Sequence, residues 1–128
     1  MPDEHDLSIL RELAAQVAEI AALPVQEEKR ALWRKLNALK PDRPMVMIDQ
    51  VCWNEMNVDG ALTLQCEDAE CRGYEVFLRR TLLQWRLFPV DMVVEPFVRV
   101  PRAVSNTGFG VDSATWVADA GAYSIDHI

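Results

Sequence analysis

Histidine is almost missing from this 128-residue chain: there are two, His5 and His127, close to opposite ends. With so few, no Ser/His/Asp set and no His-Glu-x-x-His zinc motif can be assembled, and Gly-x-Ser-x-Gly is absent as well. Cysteine is sparse and odd in number. Cys52, Cys66 and Cys71 are spaced C-x13-C and C-x4-C, whereas a zinc site needs four ligands in tighter pairs, so no metal is expected in this chain. Three free thiols agree with a reducing compartment. Positive charge is in deficit, with 13 Lys and Arg against 20 Asp and Glu and a net charge of −7. That balance argues against a nucleic-acid or anionic-membrane partner. No apolar run approaches the roughly 20 residues that span a bilayer. The opening MPDEHD is acidic and unlike a signal peptide, so the expected location is cytoplasmic. Glycine is scarce too, and NTGFG (106–110) fits neither the Rossmann nor the P-loop fingerprint; it reads as a turn.

Half of the residues are hydrophobic and 26% are charged, the balance of a globular chain with a real core. The charge is unevenly distributed. Residues 26–43 carry six basic side chains against three acids, and from Ala103 onward there are three acids and no base. There is no internal repeat and no low-complexity tract.

Leu7, Leu10, Leu13, Ala14, Val17, Ile20 and Ala21 recur at helical spacing and predict a first helix over 7–22, capped by Asp6 or Ser8. Pro24 stands where a second helix would begin, and that helix runs to Leu39 with Leu32, Trp33, Leu36 and Leu39 as its buried stripe. Together they predict an αα-hairpin over residues 1–42. Met45–Ile48 reads as a buried strand. Asp59-Gly60 signals a turn, followed by a short alternating run from Ala61 to Cys66. Asp68 is the expected N-cap of a third helix over 71–88, burying Tyr74, Phe77, Leu78, Leu82, Trp85 and Phe88 beneath a basic face. Val90–Glu95 reads as a second buried strand ended by Pro96. Strand, helix, strand predicts an α/β chain with a right-handed βαβ unit in residues 43–128, followed by a β or irregular excursion.

Three runs, LKPDRPMVMIDQVCWNEM, LQCEDAECRGYEVFLRRTLLQWR and VDMVVEPFVRVP, resemble the N-terminal part of uroporphyrinogen decarboxylase-like proteins. The resemblance is to the branch that includes corrinoid-linked methyltransferases, and it covers about Leu10 to the C-terminus. It implies N-terminal helices before the first strand of a TIM barrel, a fold of about 250 residues. A chain of this length would then be an N-terminal fragment of a partial barrel, inactive alone. It would self-associate as a homo-oligomer or be completed by the missing barrel portion, with a corrinoid protein as a further partner. Zinc and corrinoid would be bound by the full-length protein, through ligands in the half not present here.

Barrel chemistry sits at the C-terminal ends of strands. On that expectation Asp49, Gln50, Trp53 and Glu55 follow strand one and Glu95 ends strand two, making a common substrate pocket. Asp49 stands about where the family carries the first of its carboxylate-gripping arginines, and Cys52 or Trp53 about where it carries the second. An anion is wrong for a polyanionic tetrapyrrole, so uroporphyrinogen is not the expected substrate. Each residue also has a plainer reading. Asp49 and Glu55 would serve as a solvated turn acid and a capping acid, Glu95 as a strand-end acid facing water, and Trp53 as a packed indole. The alternative function is a small non-catalytic α/β interaction module that self-associates or completes a partner's sheet.

Overall fold

The computed structural model describes residues 3–100. Three helices carry it: α1 (Glu4–Ala21), α2 (Pro24–Asn37) and α3 (Ala69–Leu87). A single 3-10 turn, Trp53–Glu55, lies in the link between α2 and α3. Leu13, Val17 and Ala21 repeat every four residues and line one face of α1, which packs along α3 through Leu78. Met92 and Val94 close this core from the chain beyond α3, with Ile9, Leu10, Ile20, Leu82 and Trp85 packed around it.

The helix ends follow local chemistry. Asp3 caps α1 by accepting from the Asp6 N–H at 2.8 Å, and Pro24 occupies the first turn of α2, where no backbone donor is needed. Asp68 caps α3 as expected, accepting from the N–H groups of Glu70 and Cys71. The end of α2 is a Schellman motif: Lys40 N–H donates to Lys35 O at 2.9 Å and Leu39 N–H to Leu36 O at 3.0 Å. That motif puts its penultimate residue in the left-handed region, and Leu39 has φ 59°. Leu39 is therefore turned out to solvent, 90% exposed, instead of joining the predicted stripe.

Asp6 is not the cap that the sequence suggested. Its carboxylate is buried and accepts from the N–H groups of Glu67 (3.0 Å) and Asp68 (2.9 Å). Glu75 of α3, also buried, does the same for Gln65 (2.9 Å) and Cys66 (2.9 Å), while Arg79 Nε donates to it at 2.8 Å. Burial alone would raise the Glu75 carboxyl. The bonds from Cys66, Arg79 and Gln65 outweigh it and hold the group below its ordinary value.

The α/β expectation fails: among the described residues there is no strand, hence no βαβ unit and no partial TIM barrel. Residues 45–48 and 91–95 do lie side by side, but a single backbone bond joins them, from Asp91 N–H to Val46 O at 3.1 Å. Side chains take the other ladder positions. Val46 N–H goes to Asp91 Oδ2, Val94 N–H to Gln26 Oε1, Trp33 Nε1–H to Asp91 O, Arg30 to Val94 O, and Gln84 to Ile48 O. A backbone group already bonded to a side chain cannot extend a sheet. Val90, at φ 33° inside the Pro89–Met92 turn, also stops any strand from starting there. The predicted αα-hairpin changes in the same way. Ala22 and Leu23 link α1 to α2, yet α2 packs on residues 91–95 through Gln26, Arg30 and Trp33. The expected excursion is described only as far as residue 100; the NTGFG turn and His127 lie outside the described residues.

Two substitutions test these points by urea denaturation. Asp6→Ala leaves the part-buried N–H groups of Glu67 and Asp68 without their acceptor and is expected to cost about 1–2 kcal/mol. Leu39→Gly relieves a left-handed leucine whose side chain contacts little, and is expected to stabilise by about 1 kcal/mol.

Candidate functional site

Among the described residues a groove of about 970 Å3 runs along α3. Gly73, Tyr74, Phe77, Thr81 and Gln84 form one wall because spacings of three and four residues share a helix face. Residues 92–95 and 97–100 form the other, Met47 stands at one side, and Val17 of α1 contributes to the floor. Phe77, Met47 and Phe97 are each about half exposed, and Val100 is 68% exposed. These are large apolar groups gathered in one place, not scattered singly over the surface.

The hydroxyl and amide groups on the α3 wall of the groove are already engaged. Thr81 Oγ1–H donates to Phe77 O at 2.9 Å, turning the hydroxyl back onto its own helix. Tyr74 O–H donates to Glu70 at 3.2 Å; burial, then Glu70, holds the phenol above its ordinary value, as a proton donor and not a base. Gln84 donates to Ile48 O. Tyr74 and Glu70 are the hydroxyl and base within reach of each other here, and a phenol held above its ordinary value keeps its proton. The groove can hold apolar matter, and no reacting set is arranged in it.

Its far wall is positioned by an ion pair. Arg43 grips Asp91 with two bonds, 2.9 and 2.6 Å, and Asp91 Oδ2 also accepts from Val46 N–H at 2.8 Å. These bonds tie Met47 to the segment that begins at Asp91. The Arg43 bonds, helped by Val46 N–H and opposed by burial, bring the Asp91 carboxyl down to about 2.

The five residues singled out from the sequence do not share a pocket. Asp49, Gln50 and Glu55 are exposed and line neither the groove nor the three smaller cavities of about 310 to 540 Å3 among the described residues. Trp53 is half-buried under Arg80, whose guanidinium lies 5.0 Å from the ring centre, beside a separate cavity of about 310 Å3. Glu95 alone reaches the groove, where it sits 3.5 Å from Arg30. The residues missed were Phe77, placed in the core by its helical spacing, and Phe97, Val98 and Val100, which follow Pro96 and carry no periodic signal.

Cys66 and Cys71 are buried and Cys52 is exposed; all three are free thiols. Burial, with the Glu75 and Asp6 carboxylates near it, pushes the Cys66 thiol up to about 12, and burial with Asp68 raises Cys71 as well. Burial and the flanking carboxylates oppose the thiolate form that zinc would bind. Among the described residues, no group of three or more His, Cys, Asp or Glu is placed to hold a metal. None of the described helices is long and apolar enough to cross a membrane.

The clamp predicts an acid transition with a definite sign. The ordinary value for Asp91 is 3.8 and the folded value about 2, so its contribution is complete above pH 3.8 and disappears as pH falls through 2. Its size, discounted because Arg43 is half exposed, is about 1–2 kcal/mol. Urea denaturation of Asp91→Asn between pH 2 and 6 is expected to show that deficit at pH 6 and almost none at pH 2.

Compared with known proteins, the chain matches no family model, no curated protein and no solved structure.

Proposed function

We propose that this chain is a non-catalytic docking module, inactive as an enzyme by itself, that joins a larger protein assembly through the apolar groove along α3. The observation that carries the reading is the groove itself: half-exposed Phe77, Met47 and Phe97 around a floor with no reacting set. An apolar concavity of this kind suits a protein surface, because burying it gains about 25 cal/mol per Å2 and needs no matching polar group.

The likeness of the three sequence runs to uroporphyrinogen decarboxylase-like proteins supports membership of a methyl-transfer system, in which this chain is the N-terminal portion. Zinc, corrinoid and the thiolate-generating chemistry then belong to other parts of that system, since burial and the flanking carboxylates oppose a thiolate here. Asp49, Gln50, Trp53 and Glu55 have no pocket of their own in the isolated chain. In this reading they complete a substrate pocket only after docking, with Glu95 already beside the groove.

Two measurements test this. The isolated chain is expected to enhance the fluorescence of 8-anilinonaphthalene-1-sulfonate, and Phe77→Glu to abolish most of that enhancement without changing the helical circular dichroism. Unchanged dye binding would remove the docking role. The mass of the native product in source cells, detected with an antibody to this chain, separates the two origins of the partner. A product well above 14.5 kDa means that the groove is covered in cis by the rest of an enzyme; one at 14.5 kDa means a separate partner chain.

A further inference from the structure

The charges beside the groove specify what can lie against it. Residues 95–99 read Glu-Pro-Phe-Val-Arg, and Glu95, Phe97 and Arg99 all line the groove. Phe97 and Arg99 occupy the same side, with the Arg99 guanidinium 5.7 Å from the Phe97 ring centre. This short segment bends at Pro96 and Phe97 and belongs to no helix.

Laid antiparallel against its own copy with Phe97 on the twofold axis, the segment opposes each Glu95 to an Arg99 and each Arg99 to a Glu95. A parallel pairing in register would oppose Glu95 to Glu95 and Arg99 to Arg99, which is destabilising. The sequence is thus complementary to itself in one direction only. Proline agrees with the same register. Antiparallel pairs alternate between hydrogen-bonded and non-bonded positions. With Phe97 at a bonded position, the donors are Glu95, Phe97 and Arg99, and Pro96 falls where no N–H is required. Among the described residues, the N–H groups of Glu95, Phe97 and Arg99 enter no hydrogen bond, while Val94 N–H is taken by Gln26.

We infer that the groove-side segment 95–99 seats a second copy of this chain in an isologous twofold contact, antiparallel and centred on Phe97. The inference rests on the docking reading above and names the partner. Phe97 meets its own copy on the axis, where a central aromatic anchor contributes most. The two Glu95–Arg99 pairs flank it and fix the direction, and Val98 and Val100 add apolar contact from the same segment.

Sedimentation equilibrium of the full chain tests it, with charge reversal reading the register. The wild-type chain is expected to sediment at twice 14.5 kDa. Arg99→Glu opposes two carboxylates at both ends of the contact and is expected to weaken the dimer by about tenfold or more. Glu95→Arg does likewise. The double variant Glu95→Arg/Arg99→Glu restores opposite charges and is expected to return close to wild-type affinity. It does not restore the contact between Glu95 and Arg30, so recovery reports the contact between copies and not a repair within one chain.

A dimer indifferent to Arg99→Glu, or a double variant no tighter than the singles, overturns the register. A chain that stays monomeric up to about 100 μM overturns the inference altogether. Dye binding separates the levels of failure. A monomer whose dye binding is still lost in Phe77→Glu leaves the docking groove standing without self-pairing; a monomer with no groove-dependent dye binding removes both.

Discussion

Two buried carboxylates hold this molecule together. Asp6 on α1 and Glu75 on α3 reach from opposite sides to the chain at 65–68 and accept four of its backbone N–H groups. A carboxylate removed from water destabilises the fold unless its oxygens are filled, and an exposed turn could not fill them. Here each is filled by consecutive amides, and Glu75 by Arg79 as well, so the same bonds that satisfy the acids also fix the start of α3 against α1. The apolar contact of Leu13 and Val17 with Leu78 then forms in the register these bonds set. Cys66 and Cys71 lie within this region as inert thiols, because the carboxylates that organise it also oppose a thiolate.

The second half of the architecture follows from a substitution of bond type. Runs at 45–48 and 91–95 have the composition of strands, but Asp91, Gln26, Arg30, Trp33 and Gln84 take their backbone groups one by one. Side-chain capture of this sort anchors the segments to α2 and α3 without a sheet, and it does not propagate. Among the described residues no side chain captures the backbone beyond Val94, and residues 97–100 line the groove beside α3. The open groove is the consequence. Its existence comes from the place where side-chain capture ends, and the Arg43–Asp91 clamp sets where its far wall begins.

This arrangement also explains why chemistry is hard to locate in the isolated chain. Strand-end acids converge in a barrel because parallel strands bring their C-terminal ends to one rim. Without paired strands, Asp49, Gln50 and Glu55 remain on an exposed link, Trp53 packs under Arg80, and only Glu95 meets the groove. A docking role uses what the chain does present, an apolar concavity beside a self-complementary charge pattern.

The sequence by itself determined the three helices, the Asp68 cap, the Pro24 start and the Asp59-Gly60 turn, since each depends on neighbours within four residues. Asp59 Oδ1 accepts from Ala61 N–H, and Gly60 takes φ 78° there. Even so, local pattern misassigned Asp6: an acid at a helix start is an N-cap by nearest-neighbour rules, and its true partners lie 61 and 62 residues away. Phe77 and Leu39 fit helical stripes equally well, yet one borders the groove and the other points outward from a Schellman turn. Tertiary structure alone decided whether 45–48 and 91–95 would pair, because hydrophobic alternation specifies an extended backbone and not its hydrogen-bond partners. Those partners are the side chain of Asp91 and side chains brought from α2 and α3, and no spacing within either run encodes them.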